Sequence, residues 1–257
     1  MDHSRIALQL YTLRNFTRTP DDLARTLERV RDIGFPAIEL AGSAGLGPSE
    51  TAALVANAGL LICSSHEAPA EILGNTGAVI DRALGLGVRF VVYPFPEGLD
   101  FSRPGEAERL AGALARAGAR MRESGLALCY HNHAHEFYRS GPSCVLEEIF
   151  AQVDSLDLSA ELDIHWVQAG GADPAAWCRK LTGRVPLLHV KDYAVTSTGE
   201  RRFAEAGRGN LDLPGILRAA ENSGCEWFIV EQDVCESDPF ECVARSLACL
   251  KNLCGGG

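Results

Sequence analysis

Leu126-Ala-Leu-Cys-Tyr-His-Asn-His-Ala-His-Glu-Phe137 is the stretch from which the fold of this chain can be read. A short apolar run passes directly into three histidines and a glutamate within six residues. Side chains of a strand alternate between two faces. Leu126, Leu128 and Tyr130 then share one face, and Ala127, Cys129, His131 and His133 the other. The stretch from 158 to 165 repeats the pattern. Leu158, Ala160, Leu162 and Ile164 oppose Ser159, Glu161, Asp163 and His165. Each strand has one greasy face, and its polar residues gather towards the C-terminal end.

Eight such apolar runs punctuate the chain, at 6–11, 37–40, 60–64, 89–93, 126–130, 158–163, 187–190 and 227–231. Longer helical patterns separate them. Helix starts carry Thr19-Pro20, Gly47-Pro48-Ser49, Asp173-Pro174 and Asp238-Pro239. Proline suits the first helical turn, and Thr, Ser or Asp caps its free N–H groups. Glycine closes helices ahead of the next strand at Gly34, Gly59, Gly87, Gly125, Gly183 and Gly224. Strict alternation argues for a parallel sheet, and eight units in about 250 residues is the size of a closed (β/α)8 barrel. An open doubly wound sheet is the competing architecture, but no glycine fingerprint follows the first run. Helices cover the outside of a barrel, so the apolar faces point outward and the polar sets inward.

The 257 residues are read as one domain over 1–254, with a flexible tail at 255–257. A chain of this length buries a core without staples. No apolar run is long enough to cross a bilayer, and the N-terminus does not read as a signal peptide. The net charge of −10 disfavours a phosphate-backbone partner. Nine cysteines without a C-x-x-C pair, among them Cys63, Cys129, Cys178 and Cys249, read as reduced, core-filling thiols of a cytoplasmic protein.

Six of the seven histidines lie at or just after a strand end: His66, His131, His133, His135, His165 and His189. The seventh run sets His189 and Lys191 on one face; the eighth sets Ile229, Glu231 and Asp233. The C-terminal strand ends are where barrels of this type build active sites. Imidazoles and carboxylates gathered there suit a divalent metal or an acid–base site.

The ordered set Gln9-Leu-Tyr11 with Arg14, Tyr130 to Phe137, Leu162-Asp-Ile-His-Trp166, Leu188-His-Val-Lys-Asp192, Gly207-Arg-Gly209 and Val230-Glu-Gln-Asp233 resembles the sugar phosphate isomerase/epimerase family. That family belongs to the xylose isomerase-like TIM barrels, with ketose 3-epimerases, inosose dehydratase and endonuclease IV. The resemblance runs from the first strand to the last helix, and it specifies the superfamily more than the substrate. It implies one divalent ion (Mn²⁺, Mg²⁺, Co²⁺ or Zn²⁺) on Glu136, Asp163, His189 and Glu231. Glu136 lies past the end of its strand, and His131 and His133 have the better phase, so the ligand from this strand is open between them. The resemblance also implies that Glu136 and Glu231 flank the substrate as base and acid.

Isomerising or epimerising a sugar removes a proton beside a carbonyl, which calls for a Lewis acid and an acid–base pair. Lys191 can stabilise an enolate or neutralise a phosphate. His133 and His165 can orient hydroxyls or shuttle protons. Gln9, Tyr11, Glu39, His66, His131 and Trp166 are expected around the substrate, and Arg208 in a loop that could hold phosphate. The reading is a metal-dependent isomerase or epimerase of a sugar or keto-sugar. Its expected partner is a small sugar or polyol, with no nucleic acid or membrane; homo-oligomerisation is left open. A dehydratase or lyase acting on a keto-sugar or keto-inositol in the same site is the alternative. An abasic-site endonuclease and a non-catalytic sugar-binding barrel rank behind it.

Overall fold

The computed structural model of the chain describes residues 2–139 and 141–255. Eight parallel strands close into a barrel: β1 (Ile6–Gln9), β2 (Ala37–Ala41), β3 (Leu61–His66), β4 (Phe90–Tyr93), β5 (Ala127–His131), β6 (Ser159–Asp163), β7 (Leu187–Val190) and, after a hairpin, β10 (Trp227–Val230). The order around the barrel is β1-β10-β7-β6-β5-β4-β3-β2. The expected closed barrel is therefore present, and a single (β/α)8 TIM barrel describes it. The sequence reading lacked the hairpin, β8 (Asp192–Val195) and β9 (Arg201–Ala204), which pair antiparallel outside the barrel.

The expected punctuation shapes the helices. Thr19 accepts a hydrogen bond from Asp22 N at 3.2 Å and caps the helix Pro20–Ile33. Asp173 caps Pro174–Lys180. Gly34 ends its helix at φ 103°, a left-handed conformation open to glycine. The first strand stops at Gln9, two residues short of expectation. The Gln9 side chain accepts from Tyr11 N at 3.0 Å and turns the chain into a 3-10 segment, Leu10–Phe16. The last helix is Pro239–Gly255; of the expected tail, Gly256 and Gly257 lie outside the described residues.

Two apolar layers follow from the alternation. The larger lies between strands and helices and includes Ile6, Leu8, Ile38, Leu40, Leu128, Tyr130, Leu162 and Leu188. The smaller fills the barrel itself with Ala7, Ala37, Cys63, Phe90, Val92, Cys129, Leu187 and Ile229. Register places the next inward residues above this plug. His131 pairs with Glu161, Asp163 with His189, and Gln9 with Glu39. Among the described residues no helix is long and apolar enough to cross a membrane.

Candidate active site

The site is built in two tiers on the plug. Glu39 and Glu161, both fully buried, form the floor. Glu39 accepts from Gln9 Nε2 at 2.7 Å and Ser64 Oγ at 2.5 Å. Three imidazole nitrogens converge on Glu161 Oε2: His66 Nε2 at 2.8 Å, His131 Nδ1 at 3.0 Å and His189 Nε2 at 3.1 Å. His189 Nε2 also lies 2.7 Å from Glu39 Oε1.

The upper tier uses the other side of the same rings. His189 Nδ1 is 2.8 Å from Glu231 Oε2 and 3.8 Å from Asp163 Oδ2. His131 Nε2 is 3.8 Å from Asp163 Oδ2. His131, Asp163, His189 and Glu231 thus come together at four strand ends, their ligand atoms within 4.8 Å of one another. Asp163 is held in place from two sides. Its backbone N–H donates to Asn132 Oδ1 at 3.0 Å, and its Oδ1 accepts from Trp166 N at 3.0 Å as the cap of the helix Ile164–Ala169. Its Oδ2, buried, makes no hydrogen bond among the described residues. Two imidazoles and two carboxylates fit a divalent ion of hard to borderline preference. A second grouping, His66, His131, Glu161 and His189, also lies within 4.8 Å. Its nitrogens already face the floor carboxylates, the arrangement that orients metal-binding imidazoles from behind.

Lys191, 1 % exposed, completes the upper tier. Its Nζ lies 2.7 Å from Glu231 Oε2, 2.8 Å from Asp233 Oδ2 and 3.0 Å from Asp163 Oδ2. Burial opposes the charge on Lys191, but these three carboxylates outweigh it and hold the ammonium well above its usual range. His189 behaves likewise: burial opposes its charge, and Glu161, Glu39 and Glu231 raise it well above the ordinary imidazole value. His66 is pushed up to about 10, with Glu39 and Glu161 outweighing burial. His131 and His133 go the other way. Burial and neighbouring positive charges hold His131 well below its usual value. Burial pushes His133 down to about 4, so its ring is neutral at neutral pH.

A cavity of ≈ 440 Å³ opens over this tier. Tyr11, His66, His131, His133, Lys191 and Glu231 line it, together with Phe95, Glu67 and Asp233. Other expected residues lie elsewhere. Glu136 is fully buried and is not among the residues described around the cavity. Its Oε1 accepts from Tyr130 OH at 3.0 Å and its Oε2 from His133 N at 2.9 Å. The chain does turn early after β5, but into a 3-10 turn, His135–Phe137, that directs this carboxylate back onto Tyr130. His131, the last residue of β5, stands in the ligand grouping. Gln9 and Glu39 lie in or under the floor. His165 and Trp166 border a neighbouring cavity, and His165 stacks on Phe203 of the hairpin at 4.3 Å.

In the loop that could hold phosphate, backbone N–H groups are taken by a carboxylate of the protein. Asp192 Oδ2 accepts from Gly207 N at 2.9 Å and Gly209 N at 3.1 Å, and its Oδ1 from Leu211 N at 3.3 Å. A Cβ on Gly209 would fall 2.2 Å from Asp192 Oδ1, so only glycine permits this approach. Arg208 is exposed and lines a separate polar cavity with Arg202 and Arg245.

Sequence reasoning missed the structural roles of Glu161, Asp233 and Asp192, and it missed Phe95 altogether. Glu161 and Asp233 carried a usable signal, each two residues from an assigned ligand on the same face. Phe95 carried none, because it sits in a loop beyond β4.

A family model of xylose isomerase-like TIM barrels matches residues 18–253. The chain belongs to that family. It is 28% identical over 153 residues to an inosose dehydratase of Lacticaseibacillus casei, a match covering 53% of this chain and 51% of that protein. The match thus spans about half the length of the curated relative. The crystal structure of a sugar phosphate isomerase/epimerase from Parabacteroides distasonis superposes with a TM-score of 0.81 at 23% identity, covering 98% of this chain and 94% of that one. A xylose isomerase-like TIM barrel protein from Mycobacterium smegmatis, solved in complex with magnesium, superposes with a TM-score of 0.75 at 17% identity, covering 98% of both chains.

Proposed function

We propose that this chain is a divalent-metal-dependent isomerase or epimerase of a small sugar or keto-sugar, acting by proton abstraction beside a carbonyl. The observation that carries the reading is the gathering of His131, Asp163, His189 and Glu231 at four strand ends beneath a cavity of monosaccharide scale. Membership of the xylose isomerase-like family supports it. An ion held by these four residues would supply Lewis acidity at the substrate carbonyl.

The remaining work falls to the chain's own groups. Lys191 brings positive charge to the cavity wall, where charge develops on the carbonyl oxygen. His133, neutral and lining the cavity, is a better-placed base than Glu136, whose carboxylate faces Tyr130. Glu231, which lines the cavity and, against the effect of burial, is held ionised by Lys191 and His189, is the partner on the other side: it takes a proton from water and passes it to the substrate carbon, while His133 gives up to water the proton it removed. Tyr11 and Phe95 offer aromatic faces to the apolar side of a sugar ring, and His66 and Glu67 offer hydrogen bonds to hydroxyls.

A dehydratase or lyase acting on a keto-sugar or keto-inositol is the second reading, favoured by the similarity to inosose dehydratase. Both begin with the same proton; they differ in whether a β-hydroxyl then leaves. The test is a panel of keto-sugars and keto-inositols incubated with Mn²⁺-loaded protein in deuterated water. Exchange with retention of the hydroxyl supports the isomerase or epimerase, and loss of water supports the dehydratase. Neither reaction on any member would overturn both.

A further inference from the structure

We infer that Lys191 and the divalent ion compete for one pair of carboxylate oxygens, and that Asp233 is the berth that lets both cations stay in the site. The inference rests on the metal reading proposed above. Lys191 follows His189 by two residues at the C-terminal end of β7, so its side chain enters the same tier. Its Nζ contacts Asp163 Oδ2 and Glu231 Oε2. Those are the oxygens that also face His131 and His189 in the ligand grouping. An ion coordinated there takes from the ammonium two of its three carboxylate contacts.

The third contact is different in kind. Asp233 lies outside the ligand grouping, and its side chain is 24% exposed where that of Asp163 is 0% and that of Glu231 5%. Among the described residues its Oδ2 accepts no hydrogen bond; its one ion contact is with Lys191 at 2.8 Å. Arg14 Nη2 donates to the Asp233 carbonyl at 2.9 Å and anchors its backbone. Asp233 and Lys191 both line the cavity.

The charge count supports two cations. Asp163, Glu231 and Asp233 set three negative charges against one ammonium, leaving a deficit of two that a divalent ion fills. Glu39 and Glu161 lie below this tier, where they face His66 and His189 Nε2, and are not part of this count. With the ion in place, the ammonium held by Asp233 is left facing the cavity. Binding of the ion would therefore turn Lys191 from an internal counter-charge into a group presented to substrate.

The test is Mn²⁺ affinity, read from the EPR signal of free Mn²⁺ with the full chain, without any assay of turnover. Lys191→Met removes the competitor and should tighten Mn²⁺ binding on the order of 10-fold, within the range of site-to-site couplings. Asp233→Asn removes the berth and should weaken it by a similar factor. In the double variant the Asp233→Asn effect should shrink, because no ammonium remains to be housed. Circular dichroism checks the fold of each variant, and Lys191→Gln replaces Lys191→Met if the latter does not fold. If the wild-type chain binds no Mn²⁺, the metal reading fails and this inference with it. If the wild type binds Mn²⁺ but neither lysine variant binds it more tightly, or Asp233→Asn does, the inference alone is overturned.

Discussion

His189 Nε2 and Glu39 Oε1 lie 2.7 Å apart, joining β7 to β2 through the barrel interior across 150 positions of sequence. The ring thereby has one nitrogen committed to the floor and the other to the cavity tier. Glu161 Oε2 lies 3.0 Å from His131 Nδ1, though without a hydrogen bond among the described residues. The floor carboxylates decide how both imidazoles are presented.

Glu161→Gln should therefore keep the barrel and weaken divalent-ion binding about 10–100-fold, the usual cost of losing a group behind a ligand. Gln retains the volume but not the charge that three imidazole nitrogens share. Isothermal titration with Mn²⁺ measures it, and an unchanged affinity would show that the floor does not orient the ligands.

Ligand assignment on β5 separates two residues five positions apart. His131→Ala, Asp163→Ala and His189→Ala should each lose nearly all bound metal by elemental analysis. Glu136→Gln should retain it, because that carboxylate is engaged by Tyr130 and His133 N. Metal lost from Glu136→Gln but kept in His131→Ala would return the ligand to Glu136.

The base follows the same geometry. His133→Asn should slow substrate α-hydrogen exchange in deuterated water about 10²–10⁴-fold, the typical contribution of a general base, with metal content unchanged. Glu136→Gln should leave exchange within a small factor of wild type. The reverse pattern would falsify the assignment of His133.

Glu136 also predicts a pH dependence of stability. Burial, with the Asp163 charge adding to it, raises this carboxyl to about 7 despite its hydrogen bonds. Below the ordinary carboxyl value of 4.5 both folded and unfolded chains hold the proton, and the group contributes nothing. Between 4.5 and about 7 the unfolded chain ionises while the folded chain stays protonated, so the wild type loses stability as pH rises, and above about 7 the loss is constant. Gln keeps both contacts, since the Tyr130 hydroxyl can accept where it donated. The stability of Glu136→Gln relative to wild type should thus rise by about 3 kcal/mol from pH 4.5 to 7.5 in paired urea titrations. A pH-independent difference would show that Glu136 ionises normally in the fold.

What the sequence alone determined is the barrel and the end of it that carries chemistry. Those follow from local rules: period-two alternation, proline at helix starts and glycine at helix ends all act within a few residues. They also put Asp163, His189 and Glu231 on inward faces. Tertiary structure decided which nitrogen of each histidine meets which carboxylate, since those pairs are up to 150 positions apart and depend on closure of the barrel. It set Glu136 against Tyr130 and His131 in the grouping with Asp163, His189 and Glu231, because a 3-10 turn after β5 breaks the strand phase. It also turned the loop from Gly207 to Leu211 inward onto Asp192, where backbone N–H groups that a sequence offers to phosphate are taken by a carboxylate of the chain itself.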